Sequence, residues 1–201
     1  METLNAFDQL LDYPVENELI YETQLNEKRF FLSPNDPIQN AKYIVFRKQD
    51  LIFCAYDAYS TQLGSTETFT GIYREINLKP EMELEMSRKH WSDYMFTLNK
   101  RKTGIQQIDF NYTLTSPRNW NFQVLMSEQV ADLFQELERQ ISPVKLIIQN
   151  NYIPMISQLK GKQVIGVETN EWIAKKEKVE QFLDLGGNLI NHLMKVSQQF
   201  Y

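Results

Sequence analysis

Through much of residues 42–114 the apolar side chains recur at every second position, and from residue 127 onward they recur at helical spacing. No single element can carry both periods, because side chains alternate across a strand but advance about 100° per residue around a helix. The change of period predicts a sheet followed by helices that cover it. Its clearest stretch is Glu81–Met86, where Met82, Leu84 and Met86 alternate with Glu81, Glu83 and Glu85. One dry face and one wet face is the mark of an antiparallel sheet with a one-sided core. Ile108, Phe110, Tyr112 and Leu114 repeat the pattern, opposite Asp109, Asn111, Thr113 and Thr115.

Around these stretches, Lys42–Arg47 and Leu51–Tyr59 flank Lys48-Gln49-Asp50 and read as a hairpin. Gln62–Thr66, with Gly64, is a turn. Phe69–Leu78 is a third run, punctuated by Pro80; Asp93–Leu98 is a shorter strand, and Lys100–Gly104 a turn. Upstream, Leu4, Phe7, Leu10 and Leu11 predict a helix that Pro14 ends. Between Glu16 and Pro37 the reading stays open, with Phe30-Phe31-Leu32 as a short strand and Ser33–Pro37 as a loop.

Val130, Leu133, Phe134, Leu137 and Ile141 form the stripe of a helix over 127–141, with Ser127 as its N-cap and Ser142-Pro143 as its stop. Val144–Ile148 and Tyr152–Ile156 read as a second hairpin around Gln149-Asn150-Asn151, the second run demoted to an edge by Pro154. Lys160-Gly161-Lys162 is a turn before the strand Val164–Glu168. A long apolar stripe from Ile173 to Val196 closes the chain. Gly186 and Gly187 lie inside it, and Gly186 is expected where another element approaches closely. The fold expected is α+β, one domain over 1–201. It has a mainly antiparallel sheet over 42–168, with a short helix and the long C-terminal helix packed on one face.

A chain of 201 residues with 42% hydrophobic content can bury a core without a disulfide or a metal. The one cysteine, Cys54, lies in the apolar run Leu51–Tyr56 and reads as a core thiol. Met1–Phe7 has no basic or long apolar segment, and no apolar run approaches the roughly 18 residues of a membrane span, so the expectation is a soluble, cytoplasmic chain. A net charge of −5 argues against nucleic acid and anionic membranes as partners, a local patch apart.

Motifs of catalysis are absent. His90 stands beside Arg88 and Lys89, which repel a metal cation, and His192 has Asn188 and Val196 at i±4 rather than ligands. The glutamates at 81, 83 and 85 read as a solvated strand face, and the glycines cradle no phosphate. No catalytic residue, cofactor or metal is therefore expected. Two contact candidates remain. Arg88 and Trp91 lie near Tyr94, Phe96 and the run Lys100-Arg101-Lys102, an interleaving of cations with aromatics, against which stands a packed core with solvated charges. Arg118 and Trp120 lie in the polar loop Ser116–Asn121, with an indole folded back onto the core as the alternative.

Phe69-Thr-Gly-Ile-Tyr-Arg, Phe110-Asn-Tyr-Thr-Leu-Thr-Ser-Pro and Leu125-Met-Ser-Glu-Gln-Val-Ala-Asp-Leu-Phe resemble uncharacterised bacterial proteins in layout, over roughly residues 40–195. That resemblance implies a bacterial source and carries over no catalytic residue. The function expected is a non-catalytic binding or regulatory module with an unidentified protein partner. The alternatives are a hydrolase-like enzyme and a peripheral membrane or lipid-binding module. The C-terminal stripe, about six turns long, either lies wholly on the sheet and the first helix or meets a second copy of the chain in a homodimer.

Overall fold

The computed structural model describes residues 5–25, 39–60, 65–79, 82–90, 100–117, 120–150, 153 and 156–198. In chain order the elements are α1 (Ala6–Glu16), β1 (Tyr21–Leu25), β2 (Gln39–Lys48), β3 (Leu51–Ser60), β4 (Ser65–Glu75), β5 (Leu84–Arg88) and β6 (Lys100–Arg101). There follow α2 (Gln106–Asn111), β7 (Tyr112–Thr115), a 3₁₀ turn (Phe122–Leu125), α3 (Glu128–Gln140), β8 (Val144–Asn150), β9 (Gln163–Thr169) and α4 (Lys176–Ser197). The strands form one nine-stranded sheet in the order β1-β2-β3-β4-β9-β8-β5-β7-β6, and every pair is antiparallel. The expected α+β architecture is the observed one.

All the helices lie on one face. Leu10 and Tyr13 of α1, Ile108 of α2, Val130, Phe134 and Leu137 of α3, and Phe182, Leu189, Ile190 and Leu193 of α4 share one core with Ile44, Phe46, Ile72, Leu84, Met86, Leu146 and Val167 of the sheet. Gly186 lets α4 settle onto the sheet. A Cβ there would stand 2.5 Å from Ile72 Cδ1 and 2.8 Å from Val167 Cγ2, so the close approach expected at this glycine is present. Leu189 and Leu193 are fully buried by their own chain, which covers this part of the long apolar stripe from within.

At β5 the core is one-sided as expected, with Met82, Leu84 and Met86 buried, Glu83 exposed and Glu85 half-buried, but over β2, β3, β4, β8 and β9 the opposite face is dry as well. Tyr43, Val45, Cys54, Tyr73, Ile147 and Val164 are buried there together with Ile153, Ile156 and Leu159. This cover is the connection between β8 and β9, and Glu22 of β1 pins it by accepting from Ser157 Oγ and from Tyr43 Oη, the latter at 2.8 Å. It replaces the expected second hairpin. β8 pairs with β9 and β5, and Ile156 opens a turn. Of the expected edge strand Tyr152–Ile156, the residues Tyr152, Pro154 and Met155 lie outside the described residues, as do Phe30–Leu32 and Asp93–Leu98. β1 extends the sheet beyond the expected 42–168 range.

Two other local readings are corrected. Residues 106–111 form a helix rather than the first half of a strand, and Phe110 is 77% exposed. The competing interaction is local: the Asp109 carboxylate accepts from Thr103 N at 2.7 Å, Thr103 Oγ1 at 2.8 Å and Gly104 N at 3.0 Å. These bonds curl the backbone before an extended strand can form. Pro14 does not end α1, which runs on to Glu16 with Pro14 buried in its last turn. The ring removes only the one bond that residue 14 would give to Leu10 O, and so near the end little helix depends on it. Leu19 N donates to Pro14 O at 2.9 Å and Glu18 N to Val15 O at 3.2 Å. This is the Schellman arrangement, with Glu18 in the left-handed position at φ 51°.

That position favours glycine, since the left-handed region costs an L-residue roughly 1–2 kcal/mol. Glu18→Gly is expected to stabilise the chain by about 0.5–1 kcal/mol once the greater freedom of the unfolded glycine is set against the relieved strain. Urea denaturation should show a higher midpoint at unchanged slope.

Candidate functional site

Three places collect chemistry. The first lies inside the second face, where strand register sets Cys54, Gly71, Glu168 and Lys145 side by side on four adjacent strands. Glu168 is 0% exposed. The Tyr73 ring occupies the room left by two glycines. A Cβ on Gly166 would stand 2.4 Å from the ring and 2.9 Å from Ile72 O, and one on Gly71 would stand 2.2 Å from the Tyr73 hydroxyl oxygen. So placed, Tyr73 Oη donates to Glu168 Oε1 at 2.6 Å, while Lys145 Nζ lies 2.8 Å from Oε2. Burial pushes the Cys54 thiol well above its ordinary range, and the Glu168 and Glu22 carboxylates push it further. A thiolate nucleophile is therefore disfavoured, and the cluster acts as an internal ionic clamp between strands.

The second is a cavity of about 540 Å³ between α1, the C-terminal end of α3 and the segment entering α4. Ile141, Trp172, Ile173 and Ala174 give it apolar walls; Gln9, Gln140 and Ser142 add polar groups. Arg139, Lys175 and Lys178 place three cations around it against the one carboxylate of Glu171. Lys178 Nζ donates to Gln140 O at 3.0 Å, which ties α4 to the end of α3. Trp172 is held by its indole N–H on Ala6 O at 3.2 Å and by stacking on Phe7 at 6.1 Å. No side-chain hydrogen bond caps the N-terminus of α4, whose N-cap residue Lys175 lines the cavity.

The third is a smaller pocket of about 200 Å³ at the narrow end of the sheet. Lys89, Lys100, Arg101 and Lys102 line it with Asp109, Tyr112, Thr113 and Leu114. The strand order β5-β7-β6 brings together the two cationic runs that the sequence separates by ten residues of chain. Lys89 Nζ donates to the carbonyls of Asp109 and Phe110, and Arg101 donates to Pro117 O at 3.1 Å. Burial raises the Asp109 carboxyl's pKa, but the donors from Thr103 and Gly104 and the charge of Lys102 outweigh it and hold that pKa below the usual range. Tyr112 Oη donates to Glu138 Oε2 at 2.8 Å, and burial followed by that carboxylate pushes the phenol's pKa up.

Of the residues singled out from the sequence, Arg88 is 69% exposed in its side chain and lies 3.7 Å from Glu138 Oε1. Trp120 is 3% exposed and packs beside Phe122 at 6.5 Å, so its indole is folded back into the core. Trp91 and Arg118 lie outside the described residues. Glu83 is exposed and Glu85 half-buried, beside Ser116 and Gln149 in a shallow depression of about 280 Å³. No group of three or more His, Cys, Asp or Glu placed to hold a metal occurs among the described residues, and no helix there is long and apolar enough to cross a membrane. The Glu168 clamp and the 540 Å³ cavity were invisible in sequence, because each is assembled from segments far apart in the chain. Comparison with known families, with characterised proteins and with solved structures finds no match.

The clamp has a mechanical consequence. Lys145→Met leaves a buried carboxylate without this cation and is expected to cost about 2–3 kcal/mol, somewhat below the roughly 3–5 kcal/mol of a fully buried broken pair because Lys145 reaches partly into solvent. Adding Glu168→Gln should recover part of that loss. A double-mutant cycle by urea denaturation at neutral pH is expected to show a coupling of about 1 kcal/mol or more.

Proposed function

We propose that this chain is a non-catalytic binding module, and that its ligand is a small organic anion with an apolar body held in the cavity between α1, α3 and α4. One observation carries the reading: apolar walls and a cationic surround occur in the same concavity, with three basic side chains against one acidic one. A volume of about 540 Å³ lies in the usual range of small-molecule sites, which are largely apolar with a few polar groups to orient the ligand. The walls remove apolar surface from water, and the cations select the sign of the charge. An anion so held would also meet the uncapped first turn of α4, where the helix dipole is positive.

The dye 1-anilinonaphthalene-8-sulfonate has this chemistry and reports its own burial by fluorescence. Saturable binding to the native chain is expected. Ala174→Leu, which adds bulk to a wall, should abolish it. Arg139→Glu with Lys175→Glu should weaken it about tenfold, as expected for two solvent-facing charge pairs reversed. Near-ultraviolet circular dichroism separates these effects from unfolding. A dye signal that none of these substitutions changes would place the binding elsewhere and remove the proposal.

A further inference from the structure

We infer that the outer edge of β1 joins a second copy of this chain, strand to strand, about a two-fold axis through Thr23. β1 stands at the end of the sheet order, and among the described residues its one strand partner is β2. The bond from Arg47 N to Ile20 O, at 3.4 Å, fixes which backbone groups face which way. It lies one step beyond the pair Tyr21–Phe46, so Glu22 and Gln24 also turn their N–H and C=O groups toward β2. Tyr21, Thr23 and Leu25 turn theirs outward. Such an edge is commonly blunted by a lysine, a proline or a bulge. Residues Tyr21–Leu25 include neither residue type, and their register with β2 is unbroken.

The side chains fit the same partner. Among the described residues the large apolar side chains left exposed are Val15, Ile20, Tyr21, Leu25 and Phe110, so all but the last lie in β1 or shortly before it. Tyr21, Thr23 and Leu25 are exposed and share the helix-bearing face, since they stand opposite Phe46, Ile44 and Lys42 of β2. An antiparallel copy centred on Thr23 sets Tyr21 against Leu25 of the second copy, Thr23 against Thr23, and Leu25 against Tyr21. Apolar and threonine pairs are favourable cross-strand neighbours. All these pairs are of the hydrogen-bonded kind, each exchanging both of its outward backbone groups. Glu22 is the strand's one charge, and it meets Gln24 of the second copy rather than another carboxylate. It also accepts from Tyr43 Oη at 2.8 Å. The edge is therefore complementary to itself, which a two-fold dimer demands and a foreign peptide does not. No residue of β1 lines the small-anion cavity, so the two readings stand apart.

Sedimentation velocity of the full chain from about 1 µM to about 500 µM, the range of weak complexes, is expected to show a monomer–dimer equilibrium. Thr23→Pro deletes the central outward N–H and spares the bonds to β2, as an edge strand allows; it should leave a monomer throughout. Leu25→Lys places a common edge guard on the strand and removes both symmetry-related apolar pairs. It should weaken the dimer about tenfold, and it decides the matter if Thr23→Pro proves unable to fold. Phe110→Ser, at the exposed ring outside this edge, should change nothing. Position is read separately by cross-linking. Cys54 is the chain's one cysteine and is buried, so a short bis-maleimide should couple two copies of the Thr23→Cys variant and not of Phe110→Cys. Four results overturn the inference: a wild-type monomer at every concentration, a dimer that Leu25→Lys leaves unweakened, an equal loss on Phe110→Ser, or open-ended growth beyond the dimer.

Discussion

A strand buried on both faces has no solvent side on which to place a charge, yet β9 carries Glu168 in the middle of the sheet. The arrangement around it follows from that one carboxylate. Its negative charge is tolerable in a dry place only if it is paired and hydrogen-bonded. Lys145 supplies the pair from β8 and Tyr73 supplies the proton donor from β4, one from each neighbouring strand. The tyrosine ring reaches that place because glycines at 71 and 166 clear the surface beneath it. A shift of one residue in either pairing would turn Glu168's partners to the opposite face, so the clamp also holds the register of the central strands. The second core and its cover, the β8–β9 connection, keep the clamp dry.

The periodic parts of the fold could be read from the sequence because they depend on neighbours in the chain. Ser127 caps α3, its hydroxyl accepting from Val130 N at 3.2 Å, and the stripe of α4 runs where the spacing places it. The departures have physical causes that a period cannot carry. Asp109 reaches back six residues to bind the backbone at Thr103, and that local bond outcompetes the strand its apolar neighbours suggest. Pro14 stays inside a helix because it removes one bond only two residues from the end, where Glu18 and Leu19 close the helix on the carbonyls of Val15 and Pro14. The cover of the second face is a turn-rich segment whose buried residues, Ile153, Ile156 and Leu159, follow neither a strand nor a sustained helix.

The candidate sites were legible in part. Both cationic runs are plain in the sequence. Their meeting depends on the pairing of β7 with β5 on one side and β6 on the other, which is non-local information. The apolar-walled cavity draws on α1, the end of α3 and the start of α4, segments separated by well over a hundred residues at the extremes. Trp120 shows the converse. A tryptophan in a polar loop is a contact candidate, but so large an apolar ring is strongly favoured to turn inward when a core lies within reach, and it does so beside Phe122.

The acidic total of the chain needs the same spatial correction. A net charge of −5 is a property of the whole surface, whereas an approaching anion is governed by what lies within about one Debye length, roughly 8–10 Å at ordinary salt. Among the described residues lining the pocket at the edge of the sheet, Lys89, Lys100, Arg101 and Lys102 stand with the one carboxylate of Asp109. Around the larger cavity the ratio is three to one. Acidic groups elsewhere, such as Glu16 with Lys176 and Asp57 with Lys42, are engaged in ion pairs. Salt screens those distant charges more than it screens the clustered ones. The average therefore predicts repulsion of anions in dilute buffer, while the local field weighs more at physiological ionic strength.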